Sequence, residues 1–190
     1  MITLNPNTVI EDSLVMAFGL RSYIDLLSVI QQDNFAATLE FRKAFNGFYR
    51  VRQKSAAWYD KYYGLMEEQR SANRSFRELL FCLEKISGTI DVSFVSKMLA
   101  AVDPLLPIWD KYVLQNLGLL KRWEKMASKD KVVRIDEAER IYEDIKSWYR
   151  AFIRSKEGKA CIAAFDSAMP HYKEKLTEVK KIDFLLWSKR

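Results

Sequence analysis

The sequence predicts an all-α fold, a single helical domain over residues 1–190 arranged as a bundle of about eight to ten helices. Three observations predict it. Apolar residues recur at three- and four-residue spacing along most of the chain, as in Ile141, Ile145, Trp148 and Phe152. Glycine and proline, which turn-rich β architectures need, number only 6 and 4. Helix punctuation also recurs, with hydroxyl or carboxylate residues before apolar runs and glycine after them.

Taken in order, Thr8 and Glu11 form a capping-box pattern ahead of a long helix carrying Leu14, Phe18, Tyr23, Leu26, Leu27 and Ile30, with Gly19 as a point of bending. A second helix is predicted from Phe35 to Phe45, stopped by Asn46-Gly47. A third carries the aromatic stripe of Trp58, Tyr62, Leu65 and Met66, a pattern more typical of core than of a cofactor site. Ser75 and Glu78 form a second capping box, opening a helix over Phe76–Ile86 that closes at Gly88. Ser93 reads as the cap of a helix reaching Val102, and Asp103-Pro104 through Pro107 breaks the chain before a helix that starts near Asp110 and ends at Gly118. Residues 121–134 hold six basic and two acidic residues and fit either a loop or a solvated helix. Asp136 is the expected cap of the next helix, and residues 159–169 and 177–187 supply the last two. No internal repeat or dividing linker interrupts the series.

Composition narrows the function. The start of the chain lacks the pattern of a secretory signal, and no stretch of 18 uncharged apolar residues occurs, so a cytoplasmic protein that does not enter the membrane is expected. Cys82 and Cys161 lie within amphipathic patterns and read as buried thiols, with no disulfide framework. The net charge is +6, and residues 1–40 carry one basic against five acidic residues, which leaves +10 on the remaining 150. A polyanion partner is compatible with that balance. The single histidine, His171, and the absence of ligand-spaced cysteines argue against a metal centre, and no phosphate-cradling glycine loop is present, so no metal and no cofactor are expected. Lysine and carboxylate remain as candidate catalytic groups.

One segment carries both. Lys97 follows Ser93 and Ser96 near the start of a helix, where the helix dipole and partial burial favour the neutral amine that a nucleophile requires. Pro107-Ile108-Trp109-Asp110 delivers an aspartate to the next helix start, where backbone N–H groups keep the carboxylate ionised, able to face a developing positive charge. The plainer alternative is an ion pair or cap in an ordinary helical bundle.

Ser96-Lys97 and Pro107 to Asp110 resemble the two motif elements of the helix-hairpin-helix DNA glycosylase superfamily, most closely its 8-oxoguanine DNA glycosylase-fold branch. The resemblance covers about 30 residues. It implies a DNA N-glycosylase, with or without AP-lyase activity, in which Lys97 attacks the sugar C1′ and Asp110 stabilises the oxocarbenium ion as a flipped base departs. It equally implies the alternative of a catalytically inactive glycosylase-fold protein that binds DNA or a protein partner. Gly88, Ser93 and Ser96 correspond to the region that approaches a DNA phosphate in that family. Gly88 stands alone where the family hairpin has two glycines, and Lys97 and Asp110 are only 13 residues apart.

A second constellation, Asn46, Phe48, Tyr49, Arg50 and Arg52, is similar to the loop with which such glycosylases enter DNA and contact the orphaned base. Read from the residues alone, the same stretch fits a helix end with core aromatics and solvated arginines. Double-stranded DNA, contacted through its backbone, is the implied partner, and a monomer the expected state. The C-terminal stretch from Lys180 to Trp187 reads as a docking helix whose terminal lysines add to a basic surface.

Overall fold

Ten α-helices and three 3-10 turns, with no strand, make up residues 4–188, which the computed structural model describes apart from the side chains of 10–18. Local chemistry starts most of the helices. Thr38 and Ser55 cap α2 (Leu39–Tyr49) and α3 (Ala56–Ala72) through their hydroxyl oxygens. α4 (Phe76–Ser87) opens on a complete capping box, with Glu78 accepting from the Ser75 N–H at 2.7 Å, and closes at Gly88, whose φ of 65° admits the left-handed turn. α5 (Val92–Val102) follows after a short hairpin. α6 (Lys111–Asn116) and the single turn of α7 (Leu120–Glu124) lead to the long α8 (Lys131–Arg154). α9 (Lys156–Ala168) and α10 (Glu178–Ser188) complete the chain, and α1 (Val9–Ile30) begins it.

The helices sort into two groups around one core. In the first, α2 to α5 enclose an aromatic cluster in which Trp58 stacks on Tyr62 at 4.6 Å and Phe45 meets Tyr49 at 4.7 Å. In the second, α1, α6, α8 and α9 surround α10. From Lys180 to Leu186 every residue of α10 is buried, as expected of a helix enclosed on all sides. Contacts of α4 with α8 and of α5 with α1 join the groups, and Phe76 stacks on Tyr142 at 4.3 Å across the first of these seams.

Several boundaries differ from the sequence reading. The stretch from Phe35 is a 3-10 turn over Phe35–Ala37, and α2 runs through Asn46-Gly47 to end at Arg50, itself left-handed at φ 54°. Asn46 stays helical because its side-chain oxygen accepts from the Tyr63 hydroxyl at 2.8 Å, a tertiary bond that outweighs the turn preference of Asn-Gly. Asp91 rather than Ser93 occupies the cap position of α5, and Asp130 rather than Asp136 caps α8 by accepting from Val133 N–H at 3.0 Å. Asp136 instead lies within α8 and pairs with Arg77 of α4. The charged stretch 121–134 divides into α7, a turn and the start of α8. Lys180 and Lys181 are buried at 2% and 4% exposure, paired with Asp183 and Asp166, and add nothing to a basic surface. Cys161 is buried as expected, whereas Cys82 is only half-buried, and both are free thiols. The capping box of Thr8 and Glu11 involves a side chain outside the described residues.

Two glycines should respond oppositely to alanine. A Cβ on Gly158 would fall 1.9 Å from the Phe152 carbonyl oxygen at the α8–α9 junction. Gly158→Ala should therefore destabilise by about 1–3 kcal/mol in denaturant unfolding, the usual cost of overpacking. Gly47, helical and with open space around a Cβ, should gain about 0.5–1 kcal/mol on substitution by alanine.

Candidate active site

Lys97 lies in the second turn of α5, on the side that faces α2. It is 8% exposed, and its Nζ donates to the Tyr49 carbonyl oxygen at 3.2 Å. That carbonyl is one of the last of α2, where a helix leaves acceptors without intrahelical donors. The amine also lies 5.6 Å from the Phe94 ring centroid and 6.0 Å from that of Tyr49. Burial pushes the Lys97 pKa below its ordinary value; the Asp110 carboxylate opposes that shift and the Arg50 guanidinium reinforces it.

Asp110 arrives by a different route. Residues 103–110 carry almost no backbone pairing of their own, so side chains from other elements satisfy them. Ser96 Oγ, fully buried, accepts from the Trp109 N–H at 2.8 Å and donates to the Ser93 carbonyl at 2.9 Å. The Tyr142 hydroxyl donates to the Pro107 carbonyl at 2.9 Å, Thr177 to that of Pro104 at 2.7 Å, and Lys180 Nζ to that of Leu106 at 2.8 Å. Asp110 then caps α6, accepting from the Tyr112 N–H at 2.8 Å. Lys97 and Asp110 sense each other electrostatically without an ion-pair contact between them among the described residues.

Both groups open into one cavity of about 190 Å³. Phe48, Tyr49, Phe184 and Trp187 supply aromatic wall, Arg50 stands at the exposed edge, and Tyr23, Lys180 and Asp183 form the deep polar side. Asp183 is 4% exposed and accepts from the Tyr149 hydroxyl at 2.6 Å and from Lys180 Nζ at 2.7 Å. Burial raises the Asp183 pKa, opposed chiefly by the Lys180 charge and by these hydrogen bonds.

Of the residues singled out in the sequence, Lys97, Asp110, Tyr49 and Arg50 meet at this cavity. Asn46, Arg52, Gly88, Ser93 and Ser96 do not line it. Asn46 is held against Tyr63 between α2 and α3, Arg52 is exposed beyond the end of α2, and Ser96 serves as the clip behind Trp109. Gly88 is exposed in the hairpin before α5, where Asp91 accepts from Lys54 Nζ at 2.7 Å and from Trp58 Nε1 at 3.0 Å. The hairpin thus presents a carboxylate at the helix start that the resemblance assigns to a phosphate.

Sequence reasoning missed Tyr23, Tyr112, Lys180 and Asp183. The signal for the last two was legible, since a lysine and an aspartate three residues apart sit within an otherwise apolar helix. Among the described residues, no group of three or more His, Cys, Asp or Glu side chains is placed to hold a metal ion, and no helix is long and apolar enough to cross a membrane.

No protein-family description, curated protein or solved structure matches the chain. Fold and site together define an all-helical protein with a charged, aromatic-walled cavity, and its own chemistry carries the functional argument.

The Ser96 clip yields a direct test. Ser96→Ala leaves the buried Trp109 N–H without its acceptor, and denaturant unfolding should show a loss of about 1–3 kcal/mol; an unchanged midpoint would remove Ser96 as the anchor of the Asp110 segment.

Proposed function

We propose that the protein is a DNA base-excision enzyme, an N-glycosylase with AP-lyase activity that receives a flipped base in the cavity between α2, α5 and α10. One observation carries the reading. An amine whose ammonium form is disfavoured by burial and an N-capping carboxylate, delivered by consecutive helices, line the same aromatic-walled cavity. The aromatic wall suits a flat ring, and the cavity edge at Arg50 offers a cation to the DNA backbone.

The chemistry follows from those positions. The Lys97 lone pair forms a bond to C1′ as the bond from C1′ to the base breaks, and the base leaves with that electron pair and takes up a proton. Positive charge gathers on the sugar ring during departure, where the Asp110 carboxylate opposes it. Opening of the C1′–O bond gives a Schiff base between Lys97 and the sugar. Loss of a C2′ proton then expels the 3′ phosphate by β-elimination, and water releases the amine.

Borohydride reduces the Schiff base to a stable amine, so the enzyme should become covalently trapped on duplex DNA containing an abasic site, and Lys97→Ala should abolish the adduct. Asp110→Asn should lower base release by about 10²–10³-fold, the usual cost of removing a preorganised charge stabiliser. Absence of trapping across abasic and damaged-base duplexes that the protein still binds would overturn the reading.

The pH dependence has a definite sign. Because the attacking species is the neutral amine, trapping should rise with pH about a midpoint below the ordinary lysine value of about 10.4. Asp110→Asn removes a charge that favours the ammonium and should move the midpoint lower still. Arg50→Ala removes one that disfavours it and should move the midpoint up.

A second reading has a specific observation behind it. The Asp91 carboxylate at the start of α5 repels a phosphate where the resemblance requires one. A catalytically inactive protein using this scaffold for DNA or protein binding would show salt-dependent association without base release, and its function would tolerate Lys97→Ala.

A further inference from the structure

The deep side of the cavity holds polar groups that base expulsion does not use. Tyr23 projects from α1, is 2% exposed, and its hydroxyl has no hydrogen-bond partner among the described residues. Its ring is fixed between Phe48, at 5.9 Å, and Phe184, at 5.7 Å. The Asp183 charge lies close enough to push the Tyr23 phenol pKa further up than burial alone. Lys180 stands on the same carboxylate, so a phenol and an ammonium flank one aspartate at one end of the cavity. Buried hydroxyls without partners are rare in folded proteins, and one beside a cavity points to a ligand that completes it.

Counting the remaining hydrogen-bond capacity defines that ligand. Lys180 spends two of its three N–H groups, on Leu106 and Asp183, and keeps one. Tyr23 keeps its O–H. Asp183 Oδ1 is taken by the Tyr149 hydroxyl and, at 3.5 Å, by the Ile108 N–H, while Oδ2 accepts only from Lys180 and has one lone pair left. The site therefore offers two donors and one acceptor. A lactam edge matches this, because its carbonyl oxygen has two lone pairs and the adjacent ring nitrogen one N–H. An amidine edge has the opposite count, one lone pair on the ring nitrogen and two N–H bonds on the exocyclic amine.

We propose that Tyr23 and the Lys180–Asp183 pair form an edge-reading subsite selecting a base with a lactam edge, an oxopurine or oxopyrimidine, and that the Tyr23 hydroxyl is the discriminating donor. This inference rests on the reading of the cavity as the seat of an extruded base. It does not depend on bond cleavage.

Binding of free nucleosides tests it, read by calorimetry and ligand-observed NMR on the full chain. The probes 2′-deoxyinosine and 2′-deoxyadenosine share sugar and ring system and differ at this edge. Wild type should bind 2′-deoxyinosine at least about tenfold more tightly, in keeping with sites whose polar groups are left unpaired by the wrong partner. Tyr23→Phe should reduce that ratio to below about threefold with no loss of melting temperature, since the hydroxyl supports nothing in the ligand-free protein. The pair 2′-deoxyuridine and 2′-deoxycytidine should rank the same way and needs no variant. No binding by wild type, equal affinities, or a preference that survives Tyr23→Phe overturns the subsite. Trapping on abasic DNA without the nucleoside preference would remove the subsite and leave excision standing. The preference without trapping would do the reverse.

Discussion

The buried pair of Lys180 and Asp183 is the constraint on which the site depends. Each ion would be costly alone in the interior, and breaking such a pair typically costs about 3–5 kcal/mol. Here the two are 2.7 Å apart on successive turns of α10, and neither is satisfied by the other alone. Lys180 also reaches the Leu106 carbonyl, and Asp183 also takes the Tyr149 hydroxyl and the Ile108 N–H. The pair is therefore a joint between α10, α8 and the irregular segment that ends at Asp110. A hydrophobic isostere would fill the same volume but could not hold that backbone.

This joint explains how a segment with little secondary structure can position a carboxylate. Residues 103–110 run partly through the interior, where each unpaired backbone group would be costly, yet five of their polar groups find side-chain partners on α5, α8, α10 or the turn before α10. Ser96 is the partner nearest in sequence and sits one residue before Lys97. Whatever fixes Ser96 behind Trp109 also fixes the start of the Lys97 side chain. The two candidate catalytic groups thus share a mechanical origin, although they approach the cavity from different helices.

The fold class, the helix from Ser75 to Gly88 and the break at Asp103-Pro104 were legible because local signals there agree with the final packing. The convergence of Lys97 with Asp110 was an expectation from motif spacing, and the cavity they line contains them both. The failures share one cause, tertiary bonds that local reading cannot see. Asn46-Gly47 looks like a helix stop until Tyr63 is found holding Asn46. Ser93 and Asp136 look like caps, but Asp91 and Asp130 occupy the cap positions one turn or more earlier. The lysines of α10 look solvated because lysine usually is, and only the i,i+3 spacing of Lys180 and Asp183 hinted at an internal pair. Tyr23 carried no signal, since an aromatic residue on an amphipathic helix reads as core and the missing partner of its hydroxyl exists only in three dimensions.

The chemistry of the cavity then follows from an unequal division of labour between its charges. Lys180 and Asp183 neutralise each other and are saturated by backbone and tyrosine, so they contribute shape and hydrogen-bond polarity more than net field. Lys97 has a single hydrogen bond at 3.2 Å, with no carboxylate in ion-pair contact, and burial disfavours its charge. Asp110 is fixed by a backbone N–H at 2.8 Å and is partly open to the cavity. The reactive pair is thus the less tightly bound of the two, and it can respond to a substrate without disturbing the joint beneath it. Separating a saturated structural pair from an under-bonded reactive pair lets one small cavity be both rigid and chemically available.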